Sequence, residues 1–210
     1  MYLRDFRILA EKGKIPNGMK PGHKDGWGIA YFDDGAPKYL DRRPKNALED
    51  ERYDSALKRI DELGISGVLL AHLRKRSVGR IALENTLPFI IGKWCFVHNG
   101  TIYDFNVSVE GEAKDATDSK RFLRLLVREI ENSDGGVKDA VGRVVSDIRR
   151  AYRYSSLTFL LSDGTRIYAY RDFSEAKNAD FYGLMYAKDN QMVIFTQEPL
   201  WKKSWEIVSN

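Results

Sequence analysis

Cysteine is nearly absent from this chain. One residue in 210, Cys95, excludes an internal disulfide and any multi-cysteine metal site. That scarcity fits a reducing compartment, and the cytoplasm is the expected location. Long apolar runs are missing as well: no stretch approaches the ~20 residues that span a bilayer as a helix. The opening Met1-Tyr2-Leu3-Arg4-Asp5 has no apolar signal-peptide core, so no membrane partner is expected. Histidine is sparse. His23, His72 and His98 lie far apart without helical His-x-x-x-His spacing, and a metallohydrolase would need them to converge with Asp25. No metal and no other cofactor is expected. Charge of one sign is not concentrated anywhere: 34 basic and 30 acidic residues are interspersed, as in Lys58-Arg59-Ile60-Asp61-Glu62. The net charge of +4 therefore reads as a solvated surface, not as the basic stripe of a nucleic-acid partner.

What the chain does have is an ordinary globular composition, 43% hydrophobic and 30% charged, with enough length for one sizeable core. Apolar Phe6, Leu9 and Ala10 predict a short helix over 3–12, followed by a loop marked by Asn17-Gly18 and Pro21-Gly22. Asp33-Asp34-Gly35 between the segments 27–32 and 37–41 predicts a hairpin. Residues 47–63 carry one apolar face and stop at Gly64, a helix with its termination signal. The continuous apolar run 67–73 and the segment 93–98 predict buried strands. Helices are expected over 118–130 (Phe122, Leu125, Leu126, Ile130) and over 137–152, whose stripe includes Ala151. Short strands follow at 156–162, 166–171, 183–187 and 192–196, with Asp163-Gly164 and Asp189-Asn190 as turns. Strands, then two helices, then strands again point to α+β layers in a single domain, 1–210.

Four polar clusters stand outside the core pattern. In Gly22-His23-Lys24-Asp25-Gly26-Trp27-Gly28, glycines surround charged groups before a strand, as a tight turn or as a close backbone approach. His72 and Arg74 alternate onto one face at a buried strand's end, where an arginine pairs with surface acids or grips a ligand carboxylate. His98-Asn99-Gly100 is a turn, or a place where a side-chain amide and a main-chain N–H meet as in an oxyanion hole. In Thr117-Asp118-Ser119, Asp118 is a first-turn acid or a partner for a ligand ammonium group.

Taken together, His23-Lys24-Asp25-Gly26-Trp27-Gly28, Ala71-His72-Leu73-Arg74, Glu84-Asn85-Thr86-Leu87-Pro88-Phe89, His98-Asn99-Gly100 and Thr117-Asp118-Ser119 resemble class II glutamine amidotransferases. The small stand-alone, single-domain members are the nearest in pattern. The likeness runs from about Phe6 to the chain's end, through Leu160-Leu161-Ser162-Asp163-Gly164 and Thr196-Gln197-Glu198-Pro199-Leu200. The resemblance implies a four-layer αββα sandwich of the N-terminal-nucleophile hydrolase type. It implies hydrolysis of the side-chain amide of glutamine or a related γ-glutamyl amide. It places the substrate α-carboxylate on Arg74, supported by His72, and the α-ammonium on Asp118. It makes the Asn99 amide and the Gly100 N–H the oxyanion hole, with Gly26 and Trp27 in the loop bordering the nucleophile.

One part of the family pattern is missing. The nucleophile is a cysteine exposed as the first residue, whose own α-amine is the base, and here Tyr2 follows Met1. Cys95 lies within an apolar strand and reads as a core residue. A first strand is accordingly expected to be absent. Either the chain is a shortened copy, which predicts an unpaired gap in a sheet, or it is a non-catalytic binder of glutamine or a γ-glutamyl compound. No synthase domain is expected within the chain, so the partners left open are a separate synthase subunit and a second copy of itself.

Overall fold

A computed structural model describes residues 2–16, 20–77, 79–107, 116–201 and 203–209. The turn signal Asn17-Gly18 lies outside the described residues. The predicted opening helix is two short ones, α1 (Tyr2–Phe6) and α2 (Leu9–Lys12).

The hairpin is present as β1 (Trp27–Asp33) and β2 (Ala36–Arg43), turning at Asp34 and Gly35, whose positive φ angles of 49° and 74° match the twist of the strands. The next helix, α3 (Glu51–Leu63), starts later than its apolar pattern because Asp50 caps it, Oδ1 accepting the Arg52 N–H at 3.2 Å. It ends at Gly64, at φ 64°. The apolar run behind it forms β3 (Val68–Leu73), antiparallel to β1, giving a sheet ordered β2-β1-β3.

The second sheet is ordered β4-β5-β6-β7, all antiparallel: β4 (Phe89–Ile91), β5 (Trp94–Asn99), β6 (Thr158–Ser162) and β7 (Ile167–Tyr170). Between β5 and β6 the chain makes α4 (Asp118–Glu131) and α5 (Gly136–Ala151). Their buried stripes centre on Phe122, Leu123, Leu126 and Val127, and on Val141, Val144, Val145 and Ile148. Ala151, expected on the stripe of α5, is exposed at the helix end. A helical turn not anticipated from the sequence, α6 (Ala179–Tyr182), precedes a third sheet ordered β10-β8-β9, formed by β8 (Met185–Lys188), β9 (Val193–Thr196) and β10 (Glu206–Ile207).

Alternation along the strands sorts the core into two clusters and so builds the layers. Trp27, Ile29 and Tyr31 of β1 pack with Tyr53, Ala56 and Ile60 of α3 on one face of the first sheet. Ala30, Phe32, Val68 and Leu70 point the other way and join the residues of the second sheet. On that sheet's far side Phe96 and Phe159 meet Phe122 of α4, ring centroids 5.6 and 5.4 Å apart. The order of layers is α3, first sheet, second sheet, α4 with α5: the αββα sandwich. The first sheet meets the segment leading into β4 closely at Gly28, where an added Cβ would stand 2.2 Å from the Leu87 carbonyl oxygen.

Among the described residues, β3 and β9 are each bonded to a named strand on one side only. Both border the cavity described below, through His72 and Leu73 on one side and Phe195 and Thr196 on the other. No described helix is long and apolar enough to cross a membrane.

Candidate active site

Between the sheets a cavity of about 830 Å³ opens to the surface, and the main-chain geometry at its edge is set by the first glycine-rich cluster. Past the end of β3, Arg74 continues the ladder to the loop before β1: its N–H donates to Gly26 O at 2.8 Å, and its carbonyl accepts the Asp25 N–H at 2.9 Å. The Asp25 carboxylate accepts the Arg76 N–H at 2.8 Å, locking this corner from the other side. The Arg74 side chain is buried and lines the cavity, one nitrogen donating to Arg80 O at 3.1 Å. Burial works against its positive charge, while the carboxylates of Asp25 and Asp118 support it.

Asp118 enters the same cavity from the first turn of α4. Its Oδ2 accepts the Ile102 N–H at 2.8 Å, which ties the helix to the chain emerging from β5. The neighbouring Thr117 hydroxyl is buried without a hydrogen-bond partner among the described residues, and Thr117 too lines the cavity. A second such atom is Nδ1 of His72, on the inter-sheet face of β3. Burial, reinforced by the nearby His23 and Arg74, pushes His72 down to about 3, so its imidazole is neutral. Both atoms are shut off from solvent, and a polar atom buried without a partner is costly.

The third wall is His98-Asn99-Gly100 at the end of β5. His98 turns away from the cavity centre toward α4, and its ring nitrogens are both used: Nδ1 lies 2.9 Å from Ser119 Oγ and Nε2 lies 3.1 Å from Ser156 O. A carbonyl can only accept, so Nε2 carries the hydrogen and Nδ1 accepts from the Ser119 hydroxyl. Burial lowers the His98 pKa and keeps this neutral form. His98 thus fastens β5 to α4 and to the main chain before β6, holding the next two residues in place. At Gly100 an added Cβ would meet Ser156 O at 2.0 Å, so only glycine fits. Asn99 Nδ2 donates to Phe181 O at 3.2 Å and to Gln197 Oε1 at 3.0 Å.

Arg74, His72, Asn99, Gly100 and Asp118, picked from separate segments of the sequence, therefore share one cavity. Gly26 and Trp27 do not line it. Gly26 acts through its carbonyl on Arg74, and the Trp27 indole is buried on the α3 side, Nε1 donating to Asp50 Oδ2 at 2.9 Å. The cavity also holds residues to which sequence reasoning gave no role. Glu198 faces His23 at 3.9 Å and accepts the Lys14 N–H at 2.7 Å, while Gln197 bonds Asn99. The signal for both was the Thr196-Gln197-Glu198-Pro199-Leu200 motif. Cys95 is buried, and its thiol is pushed up to about 12 by burial, the opposite of an activated nucleophile.

The family model described as class II glutamine amidotransferases matches residues 4–208. Methanocaldococcus jannaschii protein MJ1515, itself uncharacterized, is 26% identical over 185 residues, 82% of this chain and 51% of that protein. Escherichia coli YafJ, provisionally named a glutamine amidotransferase, is 28% identical over 179 residues, 79% of this chain and 66% of its own. The γ-glutamyl-hercynylcysteine sulfoxide hydrolase of Mycolicibacterium smegmatis is 27% identical over 164 residues, 77% of this chain and 67% of that enzyme. The chain thus spans about half of the first of these relatives and about two thirds of the other two. Among solved structures, a predicted glutamine amidotransferase from Pseudomonas aeruginosa superposes with a TM-score of 0.55 at 21% identity, covering 92% of this chain and 85% of its own, a likeness of fold.

Proposed function

From the premise that this chain belongs to the class II glutamine amidotransferases, we propose that its cavity binds the γ-carboxamide of glutamine or of a related γ-glutamyl amide for hydrolysis. The observation that carries this is the placement of a buried cation, Arg74, and a buried anion, Asp118, on one cavity with Asn99 and Gly100. A free α-amino acid end offers one carboxylate and one ammonium, and binding it takes one group of each sign at fixed positions. Arg74 presents a planar fork to the carboxylate. Asp118 accepts from the ammonium while its other contact, to the Ile102 N–H, fixes its orientation.

With the amino-acid end held there, the side-chain amide extends toward Asn99 and Gly100. Attack on its carbonyl carbon moves negative charge onto the oxygen, and a side-chain N–H beside a main-chain N–H stabilises that oxyanion. The γ-glutamyl hydrolase among the relatives supports widening the substrate beyond free glutamine. Hydrolysis in this family needs a cysteine nucleophile with a free α-amine, and Cys95, sealed in the core, does not supply it. The burial of Cys95 fits a second reading as well: a site that binds glutamine or a γ-glutamyl compound without turning it over.

Two measurements separate the readings. Terminal sequencing and intact mass of the protein from its native source show whether its first residue is cysteine. Calorimetry with L-glutamine, together with an ammonia-release assay, shows what the site does. Ammonia release by a form with N-terminal cysteine supports hydrolysis; binding without release in a native chain starting at Met1 or Tyr2 supports the binder. Absence of both binding and release contradicts the substrate assignment.

A further inference from the structure

The carboxamide of Asn99 has two amide hydrogens, and the chain itself uses both. One goes to Phe181 O at 3.2 Å and the other to Gln197 Oε1 at 3.0 Å. Gln197 closes the arrangement, its Nε2 donating to the same Phe181 carbonyl at 3.3 Å. In this state Asn99 has no hydrogen left for an incoming carbonyl or oxyanion. One of the two bonds must be released before Asn99 acts as an oxyanion donor.

The two bonds differ in how readily they give way. Phe181 O is a main-chain oxygen within α6. Gln197 Oε1 sits at the end of a long, rotatable side chain just past β9. It is also a primary carboxamide oxygen, chemically the same acceptor as the side-chain amide oxygen of glutamine.

We propose that Gln197 is an internal stand-in for the substrate amide. Its side-chain oxygen takes one Asn99 N–H and is displaced from it when a γ-glutamyl amide binds. This role rests on the assignment of Asn99 as the oxyanion donor. Gln197 keeps the half-buried Asn99 amide satisfied and aimed, at the cost of competing with the ligand. One exchangeable hydrogen bond between neutral groups sets the scale, so removing the competitor tightens binding by about two- to tenfold.

The test is calorimetric titration of L-glutamine into this chain and into Gln197→Leu, Asn99→Ala and the double variant. Gln197→Leu is expected to bind about two- to tenfold more tightly than the parent, and the gain is expected to vanish in the Asn99→Ala background. Unchanged or weaker binding by a folded Gln197→Leu, with the parent binding normally, overturns the stand-in and leaves the substrate assignment intact. Failure of the parent chain to bind L-glutamine removes the substrate assignment and the stand-in with it. If Gln197→Leu does not fold, side-chain amide resonances of the ¹⁵N-labelled parent decide. The Asn99 and Gln197 NH₂ signals are expected to shift together as L-glutamine saturates the site; a Gln197 signal that stays in place overturns the proposal.

Discussion

Asp118 Oδ2 receives the main-chain N–H of Ile102 at 2.8 Å, so the carboxylate assigned to the substrate is also the tie between α4 and the exit of β5. An asparagine at this position keeps an oxygen for that N–H and removes only the charge. Asp118→Asn is therefore expected to fold normally and to lose its preference for ligands that carry an α-ammonium. Glutamine and its deaminated analogue should bind the variant equally, whereas the parent should favour glutamine by at least about tenfold, the scale of a desolvated charge pair. A variant that still discriminates between the two ligands contradicts the assignment.

Asn99→Ala removes one oxyanion donor. In a form of the protein that starts with cysteine, kcat is expected to fall by about 10²–10³, with KM little changed. The check is steady-state ammonia release beside a thermal melt, since an unfolded variant would lose both parameters together.

Gly100→Ala forces a methyl group toward Ser156 O, which would lie 2.0 Å away. That oxygen is held by His98 Nε2 at 3.1 Å, so it cannot retreat without loosening the link from β5. The expected loss is about 1–3 kcal/mol of stability, the range for overpacking a filled interior, read from the urea midpoint. A midpoint equal to the parent's means the chain finds room that the close approach does not show.

His72 is pushed from its ordinary 6.5 to about 3 in the folded protein. Between those values the unfolded chain binds a proton that the folded chain refuses, so stability rises with pH. The contribution of His72 is complete above pH 6.5 and is lost progressively as pH falls toward 3. His98, also lowered by burial, acts in the same direction. Thermal melts through this window should show Tm falling with pH, and His72→Gln should fall less steeply. A His72 imidazole that titrates near 6.5 by NMR in the folded state contradicts the buried, neutral form.

What the sequence determined by itself is whatever depends on near neighbours. The stripes of α4 and α5, the Asp34-Gly35 turn and the alternation that sends His72 and Arg74 to one side of β3 all follow from spacings of a few residues. So does the family likeness, because its motifs are short and lie in order along the chain. The tertiary structure decided which motifs meet. Trp27, beside Gly26 in the loop motif, faces α3 and bonds Asp50, because its neighbour Gly28 takes the inter-sheet side where only glycine clears Leu87. The pairing of Gln197 with Asn99 joins residues 98 positions apart, and nothing near either one announces it. Side-chain periodicity is a local steric property of the backbone and can be read from sequence, whereas the approach of distant segments depends on how whole layers pack.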